Sequence, residues 1–313
     1  MGSTCLHEMT EKRWSVRIQS LRLMLLLLVL STGTAWGNDS LDFKHSFRPA
    51  LLTSHGDWTG ALSYDLGLST VLYSQAEKDS FRKSLSARMG TKGTVAVDAD
   101  LNTEPLNADA GITTSINFYK PPIIELGAKP GQFLTKEEGF NYGRLSFSLL
   151  GGYETDQRLD NRNITAGAEL GYALTETQAF KALVPSVFLG YDFVFVDHSE
   201  QQKSLGVDDG DSRRLRVFAS WKFPVGQWLP PPLEPLDAHV DLRYYLNDGL
   251  PSVYRATDKD DAIYAAASLS YSFSQKPLWG FVDALFVRVA TGRIPPETKD
   301  ATTVMVGLAV WER

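Results

Sequence analysis

The sequence predicts an all-β fold, a transmembrane antiparallel up-and-down β-barrel of about twelve strands, with ten or fourteen left open. Three observations predict it. Apolar and polar residues alternate with period two over long segments, as successive side chains on a strand point to opposite faces. The segments run about 10 to 13 residues, against roughly 5 or 6 in soluble sheets and about 9 to 11 for a tilted membrane strand. Aromatic residues gather at the segment ends.

The chain opens with Lys12, Arg13, Arg17 and Arg22, then an apolar run from Leu23 to Leu30, then Ala35-Trp36-Gly37. Basic region, apolar core and small residues before a cleavage point are the order of a secretory signal peptide. Residues 1–37 are therefore read as that signal, with the mature chain beginning at Asn38 and Met9 as a candidate start. The run is too short for a spanning helix, which needs about 20 residues. Residues 38–56 are read as an N-terminal segment in a periplasmic or plug position, and 57–313 as the barrel.

Strands are expected near 58–73, 81–90, 93–102, 108–119, 144–155, 162–174, 184–196, 213–223, 236–246, 262–274, 279–290 and 302–311. In 162–174, Ile164, Ala166, Ala168, Leu170 and Tyr172 oppose Asn163, Thr165, Gly167, Glu169 and Gly171. In 213–223, Leu215, Val217, Ala219, Trp221 and Phe223 oppose Arg214, Arg216, Phe218, Ser220 and Lys222. Asp237, His239, Asp241, Arg243 and Tyr245 share one face of the next strand. Between 262 and 274 the division is cleanest, with Ile263, Ala265, Ala267, Leu269, Tyr271 and Phe273 on one face and mainly serine on the other. The segment from Pro121 to Asn141 has room for a further pair.

Placing the chain end on the inner side of the membrane collects two aromatic belts. One holds Trp58, Phe118, Tyr119, Tyr142, Tyr172, Trp221, Phe223, Tyr271, Phe273, Trp279 and Trp311. The other holds Tyr73, Phe81, Tyr153, Phe193, Phe195, Tyr244, Tyr245 and Tyr264. Amphipathic rings favour the headgroup layer. The polar faces are too rich in Ser, Gly, Thr and charge for the core of a soluble sandwich, so they are read as a lumen lining.

In this patterning the chain resembles outer-membrane β-barrel proteins of Gram-negative bacteria in general, with no specific family matched. The last strand, with Val304, Val306, Leu308 and Val310 in alternation and Trp311 near the end, resembles the one such proteins present to the barrel-assembly machinery. It departs from that form in the trailing Glu312 and Arg313 and in the phase of Trp311. The resemblance implies export to the bacterial outer membrane, with membrane lipid and the assembly machinery as partners.

A set of charges falls on polar faces: Asp65, Arg82, Arg88, Asp98, Asp100, Glu154, Glu169, Asp192, Arg214, Arg216, Lys222, Asp241 and Arg243. Two readings of it stand side by side. One is a salt-bridged network filling a narrow barrel, and the other is a mixed-charge constriction on a solute path. His239 is a weak catalytic candidate, because Asp237 and Asp241 flank it at i±2, but such residues lie roughly 7 Å apart along a strand. His198 reads as a solvated loop residue. Asp208-Asp209-Gly210-Asp211 lacks the ligand spacing of a calcium loop. Asn163-Ile164-Thr165 fits a glycosylation sequon but reads as lumen polarity. No cofactor or metal is expected. The single cysteine, Cys5, lies in the signal segment, and the net charge of −6 gives no reason to expect nucleic acid. The function expected is a porin-like small pore. A structural or partner-binding barrel and a lipid-modifying hydrolase are the alternatives.

Overall fold

A computed structural model describes residues 41–310 apart from 55, 78–80, 103, 121–122, 127–132, 138–139, 175–183, 205, 207–209, 251–259, 274–276, 280 and 297–299. The expected signal segment and Trp311 lie outside the described residues. Twelve strands form one closed antiparallel barrel. They are β1 (Leu41–Ser54), β2 (Asp57–Glu77), β3 (Phe81–Ala96), β4 (Leu106–Lys120), β7 (Phe140–Thr155), β8 (Asn161–Ala173), β9 (Ser186–Ser199), β10 (Ser212–Phe223), β11 (Leu236–Asp248), β12 (Asp261–Ser272), β13 (Val282–Gly292) and β14 (Ala301–Val310). Between β4 and β7, β5 (Ile123–Leu126) and β6 (Phe133–Glu137) pair as a separate two-stranded sheet. A short helix, α1 (Glu200–Ser204), follows β9.

The ring closes where β14 meets β1, with Ser54 opposite Thr303 and Leu51 opposite Val306. Closure matters because in lipid every backbone N–H and C=O must find an internal partner, and an open sheet edge leaves a row unpaired. β1 starts and β14 ends at the same rim, called here the termini rim; the other is the far rim.

The packing is inside-out. Outward residues are large, apolar and exposed: Leu149 58%, Ile112 51% and Phe193 51%. Ile112 and Leu149 are cross-strand partners, so the exposed surface runs on from strand to strand. Inward, buried residues are polar: Arg214 2%, Asp192 4% and Ser148 4%. A water-soluble domain does the opposite, and it rarely leaves so continuous an apolar surface bare. The exterior suits hydrocarbon, and the barrel spans a membrane.

Two boundaries differ from expectation, and their errors cancel in the count. Residues 41–54, expected ahead of the barrel, are its first strand. Pro49 disguises it, since proline cannot donate to a ladder. Pairing with β14 passes from Phe47–Val310 to Ala50–Gly307, leaving Pro49 without a partner on that side. Conversely, the segments expected at 81–90 and 93–102 are one strand, β3, which ends at Ala96. Residues 99–101 form a 3-10 turn instead. The extra strand pair between Pro121 and Asn141 exists, but outside the ring.

The shift in strand numbering reverses the direction of the first segments. Trp58 lies at the far rim, beside the β1–β2 turn, while Tyr73 and Phe81 lie toward the termini rim. From β4 onward the rims follow expectation. Tyr245 and Tyr264, placed in an aromatic belt by sequence, are instead buried inside at 4% and 1% exposure.

Candidate functional site

The inner wall carries the chemistry, and alternation decides what faces it. On β10 the inward phase presents Arg214, Arg216, Phe218, Ser220 and Lys222 in order from the far rim. Arg214 reaches over β9 and β8 to Glu154 of β7, donating from Nη1 to both carboxylate oxygens at 2.8 and 3.0 Å. Its Nε donates to Asn247 Oδ1 at 3.1 Å. One layer down, Arg216 pairs with Asp192 at 2.6 Å and with Glu169 at 3.6 Å. Gly190 makes that layer feasible, because a Cβ there would lie 2.8 Å from Arg216 Nε.

Aromatic rings interleave with these cations. Arg216 lies 5.4 Å and Arg243 5.7 Å from the Phe218 ring centre, and Arg243 lies 5.3 Å from that of Tyr264. Phe218 and Tyr245 meet edge to face at 5.5 Å. Such contacts suit guanidinium groups held away from bulk water. Arg243 also pairs with Asp241 on its own strand.

The connection between β3 and β4 folds into this space. Its Asn102 donates to Thr94 O at 2.6 Å and to Gln157 Oε1 at 3.0 Å, and Gln157 in turn bonds both backbone groups of Ala96. Leu101 packs on the buried cluster of Leu52, Ala96, Phe286 and Met305. Thus tied, the loop sends Glu104 to β12 and β13. Glu104 accepts from Thr94 at 2.6 Å and from Tyr264 at 3.0 Å, and it pairs with Arg288.

Lys92 of β3 stands exposed within the lumen. It sits opposite Asp65 in the β2 register. It also interacts electrostatically with Asp109 of β4 and with Asp241 and Arg243 of β11. β3 and β11 are six strands apart around a ring of twelve, so these charges face one another across the barrel. The wall at that level is lined by both signs of charge.

Most of the expected site residues therefore meet in pairs: Glu154 with Arg214, Asp192 and Glu169 with Arg216, and Asp241 with Arg243. Arg88 lies 3.8 Å from Asp109. Lys222 pairs loosely with Asp237 at 3.5 Å near the termini rim. Arg82 stands on the same face of β3 as Arg88 and Lys92, exposed toward the termini rim and bonded to Ser74 at 2.8 Å. Two do not belong to the lining. Asp98 caps the 3-10 turn by accepting from Asp100 N, and Asp100 pairs with Arg158 on the loop surface, because β3 ends before them.

Sequence reasoning missed Lys92, Glu104, Asp109 and Arg288. Asp109 and Arg288 stand on the inward phase of their strands, so alternation alone could have found them. Lys92 fell in a gap between two expected strands. Glu104 lies in a loop, where no periodicity marks an inward residue.

His239 gains a neighbour that sequence could not supply: Ser220 Oγ and His239 Nε2 share a hydrogen bond of 2.7 Å across β10 and β11. The flanking carboxylates are engaged elsewhere, Asp237 by Lys222 and Asp241 by Arg243. The arrangement is a serine–histidine pair, with no acid bonded to the ring among the described residues. His198 is bonded to Glu200 and Lys203 at the far rim. Among the described residues, no group of three His, Cys, Asp or Glu is placed to hold a metal.

No family model and no curated protein matches the chain. Solved structures similar to it include Pseudomonas aeruginosa OpdQ, at 11% identity and a TM-score of 0.33, covering 86% of this chain and 98% of that one. Pseudomonas aeruginosa OccK10 (OpdN) is similar at 14% identity and 0.33, covering 87% and 98%. Salmonella typhi OmpF, in complex with daunomycin, is similar at 11% and 0.35, covering 86% and 97%.

Proposed function

We propose that the chain is an outer-membrane barrel of a Gram-negative bacterium that passes small polar solutes through a constricted, mixed-charge lumen. The observation that carries this reading is the layer where Lys92 faces Asp65, Asp109, Asp241 and Arg243. A wall bearing exposed charge of both signs is a hydrated surface that polar solutes can follow. A barrel meant only to be filled would bury such groups in closed pairs, as the Arg214 and Arg216 layers do. The inward reach of Asn102 and Glu104 narrows the path, and Glu104 fastens this part of the loop to β12 and β13. The termini rim then faces the periplasm and the far rim the outside.

The experiment is a planar-bilayer recording of the purified, folded protein. Discrete conductance steps are expected, and Glu104→Ala, by unfastening the loop, should give larger or noisier steps. A silent bilayer from protein shown to be folded and inserted overturns the reading.

A second reading, hydrolysis, is favoured only by the Ser220–His239 bond. Ester hydrolysis by the wild type that Ser220→Ala abolishes, with conductance unchanged, would establish it. Equal background rates for both proteins dismiss it.

A further inference from the structure

We infer that the far mouth of the lumen holds a binding pocket for a neutral, hydroxyl-rich ligand, the polar edge of a monosaccharide ring. This names the solute class of the proposed channel and in that respect rests on it. The pocket lies between the inward faces of β8, β9 and β10, beneath α1 and the connection after β13. Its volume is about 80 Å³. One water needs about 10–15 Å³ of such space, so the pocket seats several ring hydroxyls, with the rest of the sugar in the open mouth.

Two of its walls are polar. Asn163 and Ser212 both line the cavity and are only 7% and 8% exposed as residues. Neither is among the buried polar groups cut off from any partner, so their polar atoms open onto the cavity, where a ligand hydroxyl can take the place of water without breaking a bond within the protein. Around them, Gln202 is held by Gly210 N at 2.7 Å, and Asn247 is oriented by Arg214 Nε at 3.1 Å. Leu250, Pro295 and Pro296 supply an apolar side. Directional donors and acceptors on one flank and apolar surface on the other match the two faces of a sugar.

Charge argues for a neutral occupant. Arg214 and Arg293 are the charged residues of the lining, and each already carries a carboxylate, Glu154 at 2.8 Å and Asp300 at 3.3 Å. An anion would compete with those partners, whereas a hydroxyl uses Asn163 and Ser212 without disturbing them.

The test is titration calorimetry of the folded, detergent-solubilised protein with D-glucose, D-galactose, D-mannose and, as the charged comparison, D-glucuronate. Saturable binding of a neutral hexose is expected. Asn163→Leu should weaken it at least tenfold and Ser212→Ala severalfold, each variant first shown to keep its heat-modifiable mobility. Should Asn163→Leu not fold, Ser212→Ala decides. No binding by any of the three hexoses, binding of glucuronate alone, or unchanged affinity in the variants overturns the inference. Conductance is read separately. A protein that binds hexose but stays silent in a bilayer loses the channel and keeps the pocket, while one that conducts without binding loses only the pocket.

Discussion

Breaking the ion pair at the top of the lumen separates a network that holds the barrel together from one that merely decorates it. Arg214 is 2% exposed and bonded by two contacts to Glu154, which reaches it from three strands away around the ring. Removing one partner of a buried pair typically costs about 3–5 kcal/mol, because the remaining charge is stranded. Asn247 and the Tyr245 ring stay beside the guanidinium, so the lower end applies. Glu154→Leu is expected to cost about 3 kcal/mol, on the order of a hundredfold in the unfolding equilibrium. Arg214→Met should cost a similar amount. The double variant strands no charge, and its loss should fall well below the sum, leaving a coupling of about 2 kcal/mol or more. Equilibrium urea unfolding of the protein in lipid vesicles, followed by tryptophan fluorescence, measures all four corners of the cycle. Strictly additive losses would refute the reasoning, since they would mean that water in the lumen already solvates the pair.

Other expectations follow from the same layout. Leu149→Arg, which puts a cation among lipid-facing residues, should destabilise the inserted barrel by about 2–4 kcal/mol in the same unfolding assay, and no loss would place β7 wrongly. Lys92→Glu turns a mixed constriction acidic. Reversal potentials under a salt gradient should shift toward cations by about threefold or more in permeability ratio, given the strength of charge interactions near an aqueous wall, and an unchanged ratio would move the constriction elsewhere.

Where the sequence was legible, it was legible through phase. On β8, β10, β11 and β12 the faces read from alternation agree with the observed burial, as in Ile164 against Asn163 and Ile263 against Tyr264, since lipid and lumen impose opposite demands on successive side chains. Legibility failed where a local signal broke the phase. Pro49 hid β1. The run Gly90-Thr91-Lys92-Gly93 reads as a turn, yet it continues β3; at Gly90 a Cβ would lie 2.9 Å from Leu66 O, so glycine is needed for close approach and not for a bend. Of the site, the arginines of β10 and their acidic partners could be named from sequence. The contacts that join distant segments could not. Glu104 reaches Tyr264 from a loop 160 residues away in sequence, Ser220 meets His239 across a strand register, and the mouth pocket exists only once the ring closes.

The inside-out distribution of side chains is best tested by a spin-label scan along β9. With Cys5 the only natural cysteine, replacing it leaves a clean background for single cysteines placed from Val187 to Val196. In lipid vesicles, oxygen collision rates should peak at Leu189, Tyr191, Phe193 and Phe195 and fall at the packed positions between them, Gly190, Asp192 and Val194, with a water-soluble nickel complex kept away from the four peaks. Coincident peaks for both reagents, or the nickel complex favouring Leu189 and Tyr191, would contradict a barrel that turns its apolar face to lipid.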